Sequence, residues 1–228
     1  SSVGIKSSLL SSILLTLVIL LGILTTFAVT KILSRTILKG VPSSYTLELP
    51  PYRKPQVGKV IIRSIFDRTL FVLGRAAAVA APAGLVIWLM ANITVGEANL
   101  LTHVSEFLDP FAKIMGLDGV ILMAFILGFP ANEIVIPIII MTYLAKGTIV
   151  GIESVSEMKD VFLQNGWTWL TAVNTIIFSL MHWPCSTTLI TIKKETGSFK
   201  WAALSAVIPT VLGITFCIII TAIAKIFI

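Results

Sequence analysis

Glu133 is a carboxylate set alone inside residues 119–145, an apolar stretch long enough to cross a bilayer. An ionisable group at membrane depth costs about 2.5 kcal/mol or more, so such acids mostly serve to handle an ion or a proton. The surrounding residues, Gly128-Phe129-Pro130-Ala131-Asn132-Glu133 and then Pro137, oppose an unbroken helix, because proline removes a backbone donor and crowds the preceding turn. Carbonyls freed by such a break, together with the side-chain oxygens of Asn132 and Glu133, make a donor set suited to a desolvated cation. The plainer alternative is a carboxylate that pins helix packing through a hydrogen bond.

A second cluster, Met181-His182-Trp183-Pro184-Cys185-Ser186-Thr187-Thr188, places imidazole, thiol and hydroxyls around a proline inside another apolar segment. Imidazole and thiolate suit first-row transition metals. His182 and Cys185, three residues apart, would share one face of a continuing helix, which Pro184 stands ready to distort. A Cys–His nucleophile lacks a third orienting group. Cys217 has only apolar neighbours and reads as packing, Met141 as gap filler and His103 as a solvated loop residue. Gly58-Lys59 lacks the first glycine and the Ser/Thr of a phosphate loop, so the chain is not by itself a P-loop NTPase; HExxH and CxxC are also missing from the sequence.

The elements that must position these groups follow from composition. Only 12% of the 228 residues are charged, 56% are hydrophobic and the mean hydropathy is +0.99, against about 25% charged in soluble domains. This is the composition of an integral membrane protein. Residues 9–33, 71–93, 167–192 and 201–228 each have the length of a membrane helix. The expected fold is therefore an all-α membrane protein with about four transmembrane helices plus one broken or re-entrant segment, 119–145. The net charge of +6 does not indicate nucleic acid, since the basic residues cluster beside apolar segments.

Residues 31–75 carry nine Lys/Arg against Glu48 and Asp67, and residues 193–200 carry Lys193, Lys194 and Lys200 against Glu195. These two connectors read as cytoplasmic, whereas 95–118 and 146–165, with more acids than bases, read as external. If both are external, 119–145 enters and leaves by one face as a hairpin with its turn near 128–132; a spanning broken helix is the alternative. Within 41–70, Val57, Val60, Ile61 and Ile65 alternate at helical spacing with Lys59, Arg63 and Asp67, giving an amphipathic helix suited to a lipid surface. The chain thus divides into a first transmembrane helix with its basic end (1–40), a cytoplasmic connector (41–70) and a polytopic domain (71–228). Trp88, Trp167, Trp169 and Trp201 stand near segment ends, as interfacial anchors do.

Three ordered motifs carry a family resemblance. Thr46-Leu47-Glu48-Leu49-Pro50-Pro51-Tyr52-Arg53-Lys54-Pro55, Gly128-Phe129-Pro130-Ala131-Asn132-Glu133-Ile134-Val135, and Pro184-Cys185-Ser186-Thr187-Thr188 leading to Lys194-Glu195-Thr196-Gly197-Ser198-Phe199-Lys200-Trp201 occur in this order. They resemble the ELPPYR segment, the gate motif of the second repeat and the C-terminal run of FeoB, the prokaryotic ferrous iron transporters. The resemblance implies a gate-type domain over 71–228 and Fe(II) as the transported ion across the bacterial inner membrane. It also implies a GTPase domain and a first gate repeat outside this chain, in the same protein or a split partner, with GTP acting only through that missing domain. Cys185 matches the family's proline-flanked membrane cysteine and Glu133 its gate acid. Asn132 departs from the lysine common at that place, and His182-Trp183 is a further variation. The resulting metal-site candidates are Glu133, Asn132, Cys185 and His182, with Fe(II) borderline enough in softness to accept a mixed oxygen, sulfur and nitrogen site. Expected partners are membrane lipid and the missing domains, with oligomeric state, a homo-oligomer included, left open. Transport of another divalent metal or of a nucleoside, and a non-transporting membrane scaffold, are the competing readings.

Overall fold

The structure is a computed structural model that describes residues 2–37, 56–63, 66, 70–96, 98–144 and 154–227. It forms two compact units, Ser1–Ser64 and Ile65–Ile228. The ELPPYR-like stretch lies outside the described residues.

The first unit contains α1 (Ser2–Arg35) and the short α2 (Val57–Arg63), the described part of the expected amphipathic helix. The hydroxyls of Thr16, Thr25, Thr26 and Ser34 each donate to the carbonyl four residues earlier. Such back-bonding satisfies polar side chains without a partner helix, so Leu9–Arg35 stays apolar on all sides.

The second unit begins with α3 (Phe71–Asn92), which carries Pro82 in its interior, followed by a two-residue antiparallel ribbon, β1 (Thr94–Val95) with β2 (Ala98–Asn99). Residues 100–114 then fold as α4 (Leu100–Ile114), capped at its start by Asn99, whose side chain accepts from the Thr102 amide at 2.9 Å. This corrects the reading of 95–118 as a polar connector and of His103 as a loop residue. His103 is helical, with its Nε2 2.9 Å from the Val95 carbonyl. Of the charges that suggest a connector, the three carried by α4 itself, Glu106, Asp109 and Lys113, fall on one side of the helix.

Six further helices follow among the described residues. They are α5 (Gly119–Leu127), α6 (Val135–Tyr143) after a 3₁₀ turn at Asn132–Ile134, and α7 (Val155–Gln164). Then come α8 (Trp169–Met181), α9 (Ser186–Thr196) and α10 (Phe199–Phe227). Gly197, at φ 64°, takes the left-handed conformation that reverses α9 into α10. Among the described residues, three helical stretches are long and apolar enough to cross a bilayer, Leu9–Arg35, Trp169–Thr196 and Phe199–Ile226, or four if the bent pair of α4 and α5 counts as one. The apolar part of α3, Ala76–Asn92, is shorter than these.

Residues 119–145 are expected to break near 128–132, and they do. Asp118 caps α5, its Oδ1 accepting from the Ile121 amide at 2.7 Å. Its Oδ2 accepts from the hydroxyl of Tyr143, the last residue of α6. The Trp167 indole N–H in turn donates to the Tyr143 hydroxyl at 2.8 Å. The start of α5, the end of α6 and the approach to α8 therefore lie at one level, so α5 and α6 form a hairpin whose arms enter and leave at the same end of the bundle. Gly128 lets the arms close: a Cβ there would stand 2.5 Å from the Val135 Cγ2. Pro137 is tolerated because, as the third residue of α6, its missing N–H is one that a helix start leaves unpaired.

The core lies between the hairpin, α8 and α10, where Ile121, Ile138, Ile139, Phe178 and Cys217 are fully buried. Asn174, also fully buried, donates from Nδ2 to the Met115 carbonyl at 2.8 Å and to the Thr221 hydroxyl at 2.9 Å. It thereby ties the α4–α5 turn to α8 and α10. Gly116 (φ 68°) and Gly213 keep the backbones close, since added Cβ atoms would strike Thr221 and Met181 respectively. Burial pushes the Asp118 carboxyl above the usual carboxylate range, opposed by its bonds from Tyr143 and Ile121.

Candidate functional site

The segment 167–192, read from sequence as one span, is two helices. Trp183 precedes a proline, which disfavours helical backbone, and α8 ends at His182 with ψ −179°. The backbone resumes as α9 only after Cys185, its N-cap. His182 and Cys185 therefore do not share a helix face; they stand at opposite ends of the break. With 13 residues in α8 and 11 in α9, at about 1.5 Å per residue, the break falls near the middle of the 28-residue span Trp169–Thr196.

The tip of the α5–α6 hairpin reaches this break. The Ser186 N–H, the first amide of α9, donates to the Phe129 carbonyl at 2.9 Å, and its hydroxyl lies 3.5 Å from the Pro130 carbonyl. An otherwise unpaired donor at a helix start thus meets an otherwise unpaired acceptor in a turn, which settles two backbone groups that lipid would penalise. The two interrupted segments singled out from sequence are joined through this backbone contact.

His182 is buried, with its ring centroid 5.0 Å from that of Phe125 and 6.0 Å from that of Phe178. Its Nδ1 lies 2.9 Å from the Ser179 carbonyl and 3.1 Å from that of Phe178. Both neighbours only accept, so Nδ1 carries the proton and Nε2 keeps its lone pair. Among the described residues, Nε2 has no hydrogen-bond partner, and neither does the buried indole nitrogen of Trp183. The thiol of half-buried Cys185 lies 3.1 Å from the hydroxyls of Thr187 and of Thr188, at the N-terminal end of α9. Asn132 and Glu133 occupy the 3₁₀ turn on the α6 side of the tip, both exposed. The Glu133 carboxylate makes neither a hydrogen bond nor an ion pair with another described residue.

The structure thus gathers the segments that bear the four candidates. It does not draw their side chains into one cluster: among the described residues, no three of His, Cys, Asp and Glu converge as a metal site. What the junction offers is an imidazole nitrogen and a thiol on one side, and carboxylate, amide and turn carbonyls on the other. Sequence reasoning missed Ser186 and the Phe129 carbonyl as the joint, and Asn174 as the buried hub behind it. The only sequence signal for Asn174 is a lone amide in an apolar run.

An open apolar groove of about 310 Å³, lined by Phe129, Trp183, Val207, Thr210 and Val211 among others, flanks the junction along α10.

Comparison with known proteins bears on what this junction belongs to. The Gate family, described as nucleoside recognition, matches residues 73–199, more than half of the chain, and the ferrous iron transport protein B C-terminal family matches residues 7–67. A protein named Fe(2+) transporter FeoB from Staphylococcus aureus (strain MSSA476) is 29% identical over 219 residues, covering 91% of this chain and 31% of that protein. Proteins of the same name from Leptospira interrogans (serovar copenhageni) and Synechocystis are 24% identical over 233 residues and 28% over 211; each covers 91% of this chain, with 32% and 33% of the relative covered. The chain spans about a third of the length of these curated relatives. No solved structure matches. A chain whose gate-type hairpin meets a proline-broken helix, preceded by an apolar helix in the FeoB C-terminal match, belongs to the Gate family, as the C-terminal membrane region of a FeoB protein.

Proposed function

We propose that this chain forms part of the Fe(II) path of a FeoB-type transporter in the bacterial inner membrane, gated by a GTPase domain and completed by a first gate repeat, both outside the chain. The observation that carries the reading is the Ser186 N–H to Phe129 carbonyl contact at 2.9 Å, which joins two helix breaks half-way along a span. Broken helices at the bilayer middle are where transporters replace an ion's water shell with protein oxygens. Glu133 supplies negative charge, Asn132 and turn carbonyls supply neutral oxygens, and Cys185 and His182 supply softer donors that favour a borderline ion over Mg²⁺ or Ca²⁺. Donors split between two segments bind loosely enough for the ion to leave, because parting the segments dismantles the site.

The matched Gate description, nucleoside recognition, favours a second reading in which the cargo is a nucleoside. One experiment separates the two: uptake of radiolabelled Fe(II) by cells expressing the full-length protein, with Mn(II), Zn(II) and nucleosides as competitors. The Fe(II) reading expects uptake to fall in Glu133→Gln and in Cys185→Ser at unchanged membrane expression, with nucleosides ineffective as competitors. Wild-type uptake in both variants removes the site, and inhibition by nucleosides alone replaces the cargo.

A further inference from the structure

We infer that α4 is a membrane-interface helix that inserts a phenylalanine stripe into the boundary between lipid headgroups and acyl chains, a contact that holds whatever the cargo is. At about 100° per residue, α4 divides into three sectors rather than two. Leu101, Ser105 and Ala112 are buried against the bundle, so closely that a Cβ on Gly119 would stand 1.9 Å from the Ser105 carbonyl oxygen. Thr102, Glu106, Asp109 and Lys113 form a polar sector, in which Lys113 pairs with Asp109 at 2.5 Å. The third sector is apolar yet uncovered: Phe107 is 73% exposed, Phe111 59% and Ile114 58%, at spacings of four and three residues. His103 lies at the N-terminal end of this sector, with its ring fixed to the Val95 carbonyl at 2.9 Å. A helix wholly in water has no use for the third sector, and a helix crossing the hydrocarbon could not keep the second.

The fold puts α4 at the depth where all three are needed. The α5–α6 hairpin runs from the Asp118–Tyr143–Trp167 network to the mid-span break, so α5 follows the bilayer normal. The direction of the chain turns by 108° between α4 and α5, which lays α4 close to the membrane plane at the level of that network. Tyr143 and Trp167, residue types favoured at bilayer interfaces, mark the same level. The polar sector holds two acids, Glu106 and Asp109, against Lys113 alone, so attraction to anionic lipid does not drive the contact. Burial of apolar surface in a lipid interface does.

The test places nitroxide labels at Phe107→Cys, Phe111→Cys and Glu106→Cys in the full-length protein, with its other reactive cysteines replaced by serine, reconstituted into phosphatidylcholine liposomes. Relaxation by membrane-soluble oxygen is compared with relaxation by a water-soluble nickel chelate. All three positions are exposed, so the labels leave the core intact. Labels at 107 and 111 are expected to respond mainly to oxygen, at about 5–10 Å depth, and the label at 106 mainly to nickel. Replacing half the lipid with phosphatidylglycerol is expected to leave all three unchanged. Nickel access at 107 and 111 equal to that at 106, exclusion of both reagents by a protein neighbour, or a depth near the bilayer centre would each overturn the inference.

Discussion

Closing the α5–α6 hairpin depends on Gly128, and replacing it tests the geometry that brings the tip to the break. A Cβ at Gly128 would lie 2.5 Å from the Val135 Cγ2 and 2.9 Å from the Ala124 carbonyl oxygen. The second contact is the near-helical approach of the preceding turn. The first is a true collision between the arms, since Val135 is only 5% exposed and cannot swing into solvent. Overpacking of this kind costs about 1–3 kcal/mol. Val135→Ala alone removes two buried methyl groups, worth roughly 1–2 kcal/mol. Together the two changes should cost less than their sum, because the smaller side chain at 135 vacates the space that the added methyl group at 128 needs; the expected coupling is about 1 kcal/mol or more. The assay is equilibrium unfolding of the four proteins (wild type, Gly128→Ala, Val135→Ala and the double variant) in one detergent, with Fe(II) uptake measured alongside. Partial recovery of both readouts in the double variant supports the hairpin. Strict additivity would mean that the arms do not touch at this point, and the reasoning would fail.

Four further outcomes follow from named contacts. Tyr143→Phe should destabilise by about 1–3 kcal/mol, because it removes a donor from the partly buried Asp118 and an acceptor from Trp167; an unchanged unfolding midpoint would contradict the network. Asp118 is raised by burial, so its protonated form is favoured by folding: its contribution is full below the unfolded carboxylate pKa of about 3.9 and lost as pH rises through the raised value. Stability relative to Asp118→Asn should therefore fall as pH rises from about 4 through that window, and a difference that is flat or of opposite slope would refute it. Asn174→Leu should cost about 1–3 kcal/mol by stranding the Met115 carbonyl, whereas a neutral result would deny the hub. Ser186→Ala should change stability by under about 0.5 kcal/mol, because the 3.5 Å hydroxyl contact is long and the amide that holds Phe129 is kept; a large loss would mean that the side chain, not the backbone, makes the joint.

How much of this was legible in the sequence depends on what each element needed. The helices α1 and α10 were plain, because unbroken apolar length alone specifies them. The hairpin break was equally plain, since Gly128, Pro130 and Asn132 each disfavour helix for a local reason. The break in α8–α9 is announced by Pro184, yet counting apolar residues merges both halves into one span; the face that His182 and Cys185 would share on a continuing helix is lost to the distortion that Pro184 foreshadows. Helix α4 was lost because Glu106, Asp109 and Lys113 were counted as connector charge, although their spacing of three and four residues is helical. Asn174 shows in the sequence only as a lone amide in an apolar run, and neither its pairing with Thr221 nor the Ser186–Phe129 joint has a sequence signal. A backbone amide carries no residue signature, and which buried polar groups pair is decided by packing between segments far apart in the chain.

The central claim, that the junction of the two breaks is a cation site, is tested most directly by titrating Co(II), as a spectroscopic stand-in for Fe(II), into the full-length protein in detergent. A thiolate-to-cobalt charge-transfer band should grow to saturation in the wild type, be missing in Cys185→Ser and require higher Co(II) in Glu133→Gln. A saturable band of the same intensity and affinity in both variants would contradict the account.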